Sequence, residues 1–95
     1  MKIVQTTKRF RKDCRKLKKS DKINMKKLHS VMEKLINGEG LDAIYKDHQL
    51  QGQWNNFRDC HIENDWILIY KLSKNNQGKE IITFCATGSH SNLFK

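Results

Sequence analysis

The sequence predicts an α+β domain in the order β-α-α-β-β-β: a mostly antiparallel sheet with an N-terminal helical hairpin packed on one face. Three observations predict it. Two amphipathic stretches of helical period fill the first third of the chain, three β-prone runs fill the second half, and a glycine-punctuated connector separates them. Ninety-five residues make one domain, 1–95, with no repeat and no linker. A chain this short buries roughly 60–65% of its unfolded surface, so a shallow groove suits it better than an enclosed pocket.

Lys2 to Thr6 reads as a first strand, and Thr6 or Thr7 offers a hydroxyl to cap the helix that follows. Phe10, Cys14 and Leu17 then recur at i, i+4, i+7 with cations between them, giving a helix that ends near Lys19. Ser20-Asp21 is expected to cap a second helix. Its apolar stripe is Met25, Leu28, Met32 and Leu35 or Ile36, and Asn37-Gly38 stops it. Gly38 to Gly52 is a connector. Asn55 to Ile62 reads as a strand, Glu63-Asn64-Asp65 as a tight turn, and Trp66 to Leu72 as the strongest strand. That strand is apolar on both faces until Lys71, which places it centrally in the sheet. Ser73 to Lys79 is a polar loop, Glu80 to Thr87 the last strand, and the rest a short tail ending in Leu93-Phe94.

The net charge of +9 is unevenly placed. Residues 1–34 carry thirteen Lys or Arg against three acids, and residues 35–95 carry six against seven. Such a patch attracts phosphate backbones or an acidic protein. Cys14, Cys60 and Cys85 are widely spaced and odd in number, with no Cys-x-x-Cys. A disulfide framework and a zinc ribbon are therefore not indicated, and a reducing cytoplasm fits best. No apolar signal segment or membrane span is visible in the sequence.

His48, His61 and His90 lie outside the helical part, in polar contexts, and Asp65 lies near them in sequence. Histidine takes and gives protons near neutral pH. With a basic surface, the set points to acid–base chemistry on RNA, whose own 2′-hydroxyl is the nucleophile. One imidazole removes the 2′ proton and another protonates the leaving 5′-oxygen, each contributing roughly a hundred- to ten-thousand-fold. A cation offsets the charge building on the phosphate. Asp65 is a candidate to orient one histidine, and Trp66 and Phe94 are candidates to stack on unpaired bases. Against this stands a blander reading, in which a loop histidine is a surface residue and Trp66 is core. Strand parity places Phe57, Asp59 and His61 on one face and Arg58, Cys60 and Ile62 on the other. Cys60 and His61 therefore point apart, and Arg58 points away from His61 unless a bulge intervenes. The histidine spacings of thirteen and twenty-nine residues match no compact metal-ligand motif.

Three stretches carry a resemblance. Lys46-Asp47-His48-Gln49-Leu50-Gln51-Gly52-Gln53-Trp54, Arg58-Asp59-Cys60-His61-Ile62-Glu63-Asn64-Asp65-Trp66 and Thr87-Gly88-Ser89-His90-Ser91-Asn92-Leu93-Phe94 together resemble the YafQ branch of the RelE/ParE toxins. The resemblance implies a RelE-like fold and the toxin of a type II toxin–antitoxin system: a ribosome-dependent endoribonuclease that cuts mRNA in the A site. It implies no metal and no cofactor. It also implies a cognate antitoxin, and the ribosome and mRNA as partners. By position, His48, His61, Asp65 and His90 match the family's catalytic residues. Lys46 and Arg58 match its basic positions near the phosphate, and Trp66 and Phe94 its substrate-contacting or site-supporting aromatics. Two positions depart from the pattern: Ala86 where relatives usually have Arg, and Asn64 where Pro is common. The alternatives are a non-enzymatic, ParE-like gyrase inhibitor, against which the histidines argue, and a plain basic RNA-binding module.

Overall fold

The computed structural model describes residues 1–20, 23–54, 56–63 and 65–94. Five strands, β1 (Ile3–Thr6), β2 (His48–Gln49), β3 (Arg58–Glu63), β4 (Trp66–Lys74) and β5 (Glu80–Ser89), form one sheet in the order β1-β5-β4-β3-β2. Helices α1 (Lys8–Lys18) and α2 (Met25–Ile36) follow β1, and a single-turn helix α3 (His90–Leu93) follows β5. All strand pairs are antiparallel except β1 with β5. The expected order therefore holds, with a two-residue strand and a terminal helical turn added to it.

Side-chain chemistry fixes the helix ends. Thr7 caps α1, its hydroxyl accepting from the Phe10 amide at 3.0 Å. Asn24 caps α2, its side chain accepting from the Lys26 amide at 3.0 Å. The expected Ser20-Asp21 cap is thus replaced by a residue four positions on from Ser20; Asp21 lies outside the described residues. Ser89 caps α3 by accepting from the Asn92 amide at 3.2 Å.

Both helices pack on one face of the sheet. Phe10 from α1 and Leu28, Val31 and Leu35 from α2 meet Cys60, Ile62, Trp66, Leu68, Tyr70, Ile82 and Phe84. Val31 takes the central place expected of Met32, which is only partly buried. The other face carries a smaller cluster of Ile67, Ile69, Ala86 and Leu93, covered by Leu50, Trp54, Phe57, Cys85 and Phe94. Trp66 to Tyr70 is therefore buried on both faces, which is why its sequence is continuously apolar.

Two irregularities adjust the register. Between His61 and Glu63 one β3 residue, Ile62, is left over opposite β4. Between Ile69–Ala86 and Tyr70–Phe84 one β5 residue, Cys85, is left over. Such bulges re-aim the side chains beyond them. Here Thr87 lands on the helix side, where it accepts from the Trp66 indole at 2.9 Å and donates to the Ile67 carbonyl at 2.8 Å. Its amide also donates to Asp13 of α1 at 3.1 Å, and Asp13 in turn pairs with Arg9.

Candidate active site

The sheet face away from the helices gathers the histidines. In the register, His48 on β2 sits directly opposite Asp59 on β3, and Asp59 opposite Ile69 on β4. His61 is two residues along β3 on the same face, as strand parity predicts. His90 opens α3 just beyond β5, and its ring centroid lies 5.1 Å from that of His61. Three residues far apart in sequence thereby line one side of the molecule.

Asp59 lies on the same face, beside His48 and two residues before His61. It is 1% exposed, and one carboxylate oxygen, Oδ1, has no hydrogen-bond partner. That oxygen lies 3.1 Å from His48 Nδ1. Burial pushes the Asp59 carboxyl up, against the opposing pull of His48, His61 and His90. A buried carboxylate is costly without a partner, and the side chain nearest to it is the His48 imidazole. Sequence reading placed Asp59 on the right face and gave it no role; an aspartate in a polar stretch looks solvated until the register buries it.

His48 Nδ1 also faces the Lys46 carbonyl, at 2.7 Å. With acceptors on that side, the neutral ring is assigned its proton on Nδ1, which leaves Nε2 as the acceptor nitrogen. Asp65 accepts from the His90 backbone amide at 3.1 Å and lies 3.4 Å from His90 Nδ1. It ties the start of α3 to the turn before β4 and faces the imidazole it was expected to orient. Phe94 stands 5.7 Å from the His90 ring and meets Trp54 edge-on at 5.9 Å; Trp54 meets Phe57 at 5.3 Å. Trp54, to which sequence reading gave no role, completes this aromatic layer over the second core.

The basic candidates separate. Lys46 borders an open groove with Lys27, Ser30, Tyr45 and His61. Arg58 does not: it points to the helix side, where Nε donates to Asp47 at 3.3 Å and lies 3.3 Å from the Tyr70 hydroxyl. No bulge intervenes before His61, so parity carries it away from the site. Trp66 is likewise corrected from base-stacking platform to core. It is 5% exposed, on the helix side, with its indole N–H committed to Thr87. Ala86 is 5% exposed inside the second core, opposite Ile69, and supplies no charge. Among the described residues, no group of three or more His, Cys, Asp or Glu is placed to hold a metal ion.

Clustered imidazoles on the face of a mostly antiparallel sheet away from two packed helices match the small α+β toxin of the RelE type expected from the sequence. The comparisons name the branch: the chain belongs to the YafQ family, whose model, "Bacterial toxin of type II toxin-antitoxin system, YafQ", matches residues 2–95. The chain is 42% identical over 92 residues to the mRNA interferase toxin YafQ of Escherichia coli (strain K12), covering 96% of this chain and 94% of the relative. A crystal structure of YafQ from E. coli strain BL21(DE3) superposes with a TM-score of 0.88 at 38% identity, over the full length of both chains. The E. coli DinJ–YafQ complex gives 0.86 at 40% identity, again over the full length of both chains.

Proposed function

We propose that this chain is an mRNA endonuclease that cuts messages on the ribosome, in the A site, by histidine-based acid–base catalysis, and that a cognate antitoxin restrains it in the cytoplasm. One observation carries the reading: His48, His61 and His90 gather on one face of the sheet, with His48 3.1 Å from the buried Asp59 and the His61 and His90 rings 5.1 Å apart. Scattered surface histidines would share no such face.

In the proposed step the base takes the proton of a 2′-hydroxyl and the 2′-oxygen attacks the adjacent phosphorus. The bond from phosphorus to the 5′-oxygen breaks, and the acid protonates that oxygen. The products are a 2′,3′-cyclic phosphate and a 5′-hydroxyl; no metal or cofactor enters the balance. His48 suits the base, because its Nδ1 proton is committed to Lys46 and Asp59 steadies the charge it gains. His90, held by Asp65, suits the acid, with His61 beside it on the phosphate. Lys46 is the nearest of the expected cations, and Phe94 buttresses His90 and offers an edge for a base.

The exposed Lys and Arg side chains of α1 suit ribosomal RNA and an acidic antitoxin segment in turn. Among the described residues, no helix is long and apolar enough to cross a membrane. The test is primer extension on translating ribosomes, comparing wild type with His90→Ala. Cleavage should disappear while ribosome binding persists, and EDTA should leave wild-type cleavage intact. Full toxicity of His90→Ala would end the catalytic reading, and inhibition of gyrase supercoiling by that variant would replace it with the ParE-like one.

A further inference from the structure

We propose that Asp47, Tyr70 and Arg58 form a latch on the helix side of the sheet that sets the position of His48. Tyr70 is its central positioning residue. The inference deepens the reading above and rests on His48 acting in cleavage.

The need for a latch follows from the shortness of β2. Two residues give too short a ladder to hold a side chain firmly, and β2 is an edge strand. The chain enters it through Lys46, whose φ of 49° lies in the left-handed region that a non-glycine residue adopts at a cost of roughly 1–2 kcal/mol. A conformation of that kind persists when its surroundings fix it. Fixing comes from the next residue. Asp47 turns to the helix side, where its Oδ1 accepts from the Tyr70 hydroxyl at 2.5 Å and from Arg58 Nε at 3.3 Å.

Alternation along an extended chain then does the aiming. Neighbouring residues point to opposite faces, so anchoring Asp47 beneath the sheet presents His48 above it. The register supports this on both sides. Gln49, Arg58 and Tyr70 form one row across β2, β3 and β4, while His48, Asp59 and Ile69 form the adjacent row. Tyr70 is 1% exposed in the main core, where phenylalanine would satisfy the packing alone. Its hydroxyl is the one feature that reaches Asp47. Burial, with the Asp47 hydrogen bond second, pushes that hydroxyl up, so it stays a donor throughout the physiological range. Arg58, which sequence reading placed near the phosphate, works here through a carboxylate instead.

The experiment is a double-mutant cycle read by single-turnover cleavage on programmed ribosomes, with ribosome affinity measured in parallel. Tyr70→Phe and Asp47→Ala should each slow cleavage about 10- to 100-fold, the range for misplacing a catalytic group through its support, with affinity unchanged. Asp47→Asn keeps an acceptor oxygen and should recover most of the rate. In a His48→Ala background Tyr70→Phe should cost nothing more. Full-rate cleavage by Tyr70→Phe would overturn the latch, as would losses that multiply with that of His48→Ala. Should Tyr70→Phe fail to fold, the half-buried Asp47 pair answers the same question. If His48→Ala itself cleaves at the wild-type rate, the catalytic reading of His48 fails, and the latch with it.

Discussion

Replacing Asp59 by Asn separates what holds this protein together from what makes it act. The change keeps the shape and removes one buried negative charge. At 3.1 Å from His48 Nδ1, that charge is worth about 1.3 kcal/mol to an imidazolium at the dielectric of water, and about 5 kcal/mol at an effective value of 20. The His48 side chain is 53% exposed, so the lower end applies. If His48 gains a proton in the transition state, cleavage should fall about tenfold. Stability should move the other way. Burial raises the Asp59 carboxyl in the folded protein, so folding takes up a proton between the unfolded value and the raised one. Wild-type stability therefore falls as pH rises through that window, and Asp59→Asn loses the dependence. Its melting temperature at pH 7 should equal or exceed that of wild type. The assays are single-turnover cleavage on programmed ribosomes and thermal melts from pH 4 to 7. A folded Asp59→Asn protein with undiminished cleavage, while His48→Ala is impaired, would refute the argument.

Trp66→Phe should destabilise the fold by about 1–3 kcal/mol, through lost volume and the lost indole hydrogen bond to Thr87, without changing cleavage per folded molecule. Melts and rates normalised to folded protein check this, and a specific loss of activity would return Trp66 to the substrate. Reversing charge at Lys12 and Lys16, exposed on α1, should weaken ribosome binding and flatten its salt dependence, leaving the rate on a bound message unchanged. Unaltered affinity would leave those lysines only a solubility role. Ala86→Arg supplies a cation where the family resemblance leads one to expect Arg and should raise cleavage about tenfold or more. Because Ala86 is buried beside Ile69, the larger side chain should also lower stability by about 1–3 kcal/mol. No gain in a folded variant would argue against a missing phosphate-side charge.

What could be read from the sequence followed from periodicity. Trp66 to Tyr70 announced a strand buried on both faces, and alternation along β3 put Asp59 with His61 and turned Arg58 away. What could not be read depended on distant partners. A two-residue strand such as His48–Gln49 has no period, and it exists because β3 offers it a ladder. The parallel seat of β1 beside β5 is a property of the whole sheet. Ser20-Asp21 and Asn24 are equally good local caps, and the packing of α2 chooses between them. Trp66 and Phe94 are both aromatics next to motif residues. Their fates diverge because Trp66 faces the helices, whereas Phe94 lies beside His90.

The extra residue at Cys85 works as a phase shifter. Ile82 and Phe84 anchor the front of β5 in the main core, and the residues after the bulge take their orientation independently of that anchor. Deleting Cys85 alone would make Phe84 and Ala86 consecutive opposite Tyr70 and Ile69, so the ladder would close over the gap with Thr87 still on the helix side. The strand thus carries one position whose loss leaves the facing of the other β5 side chains intact.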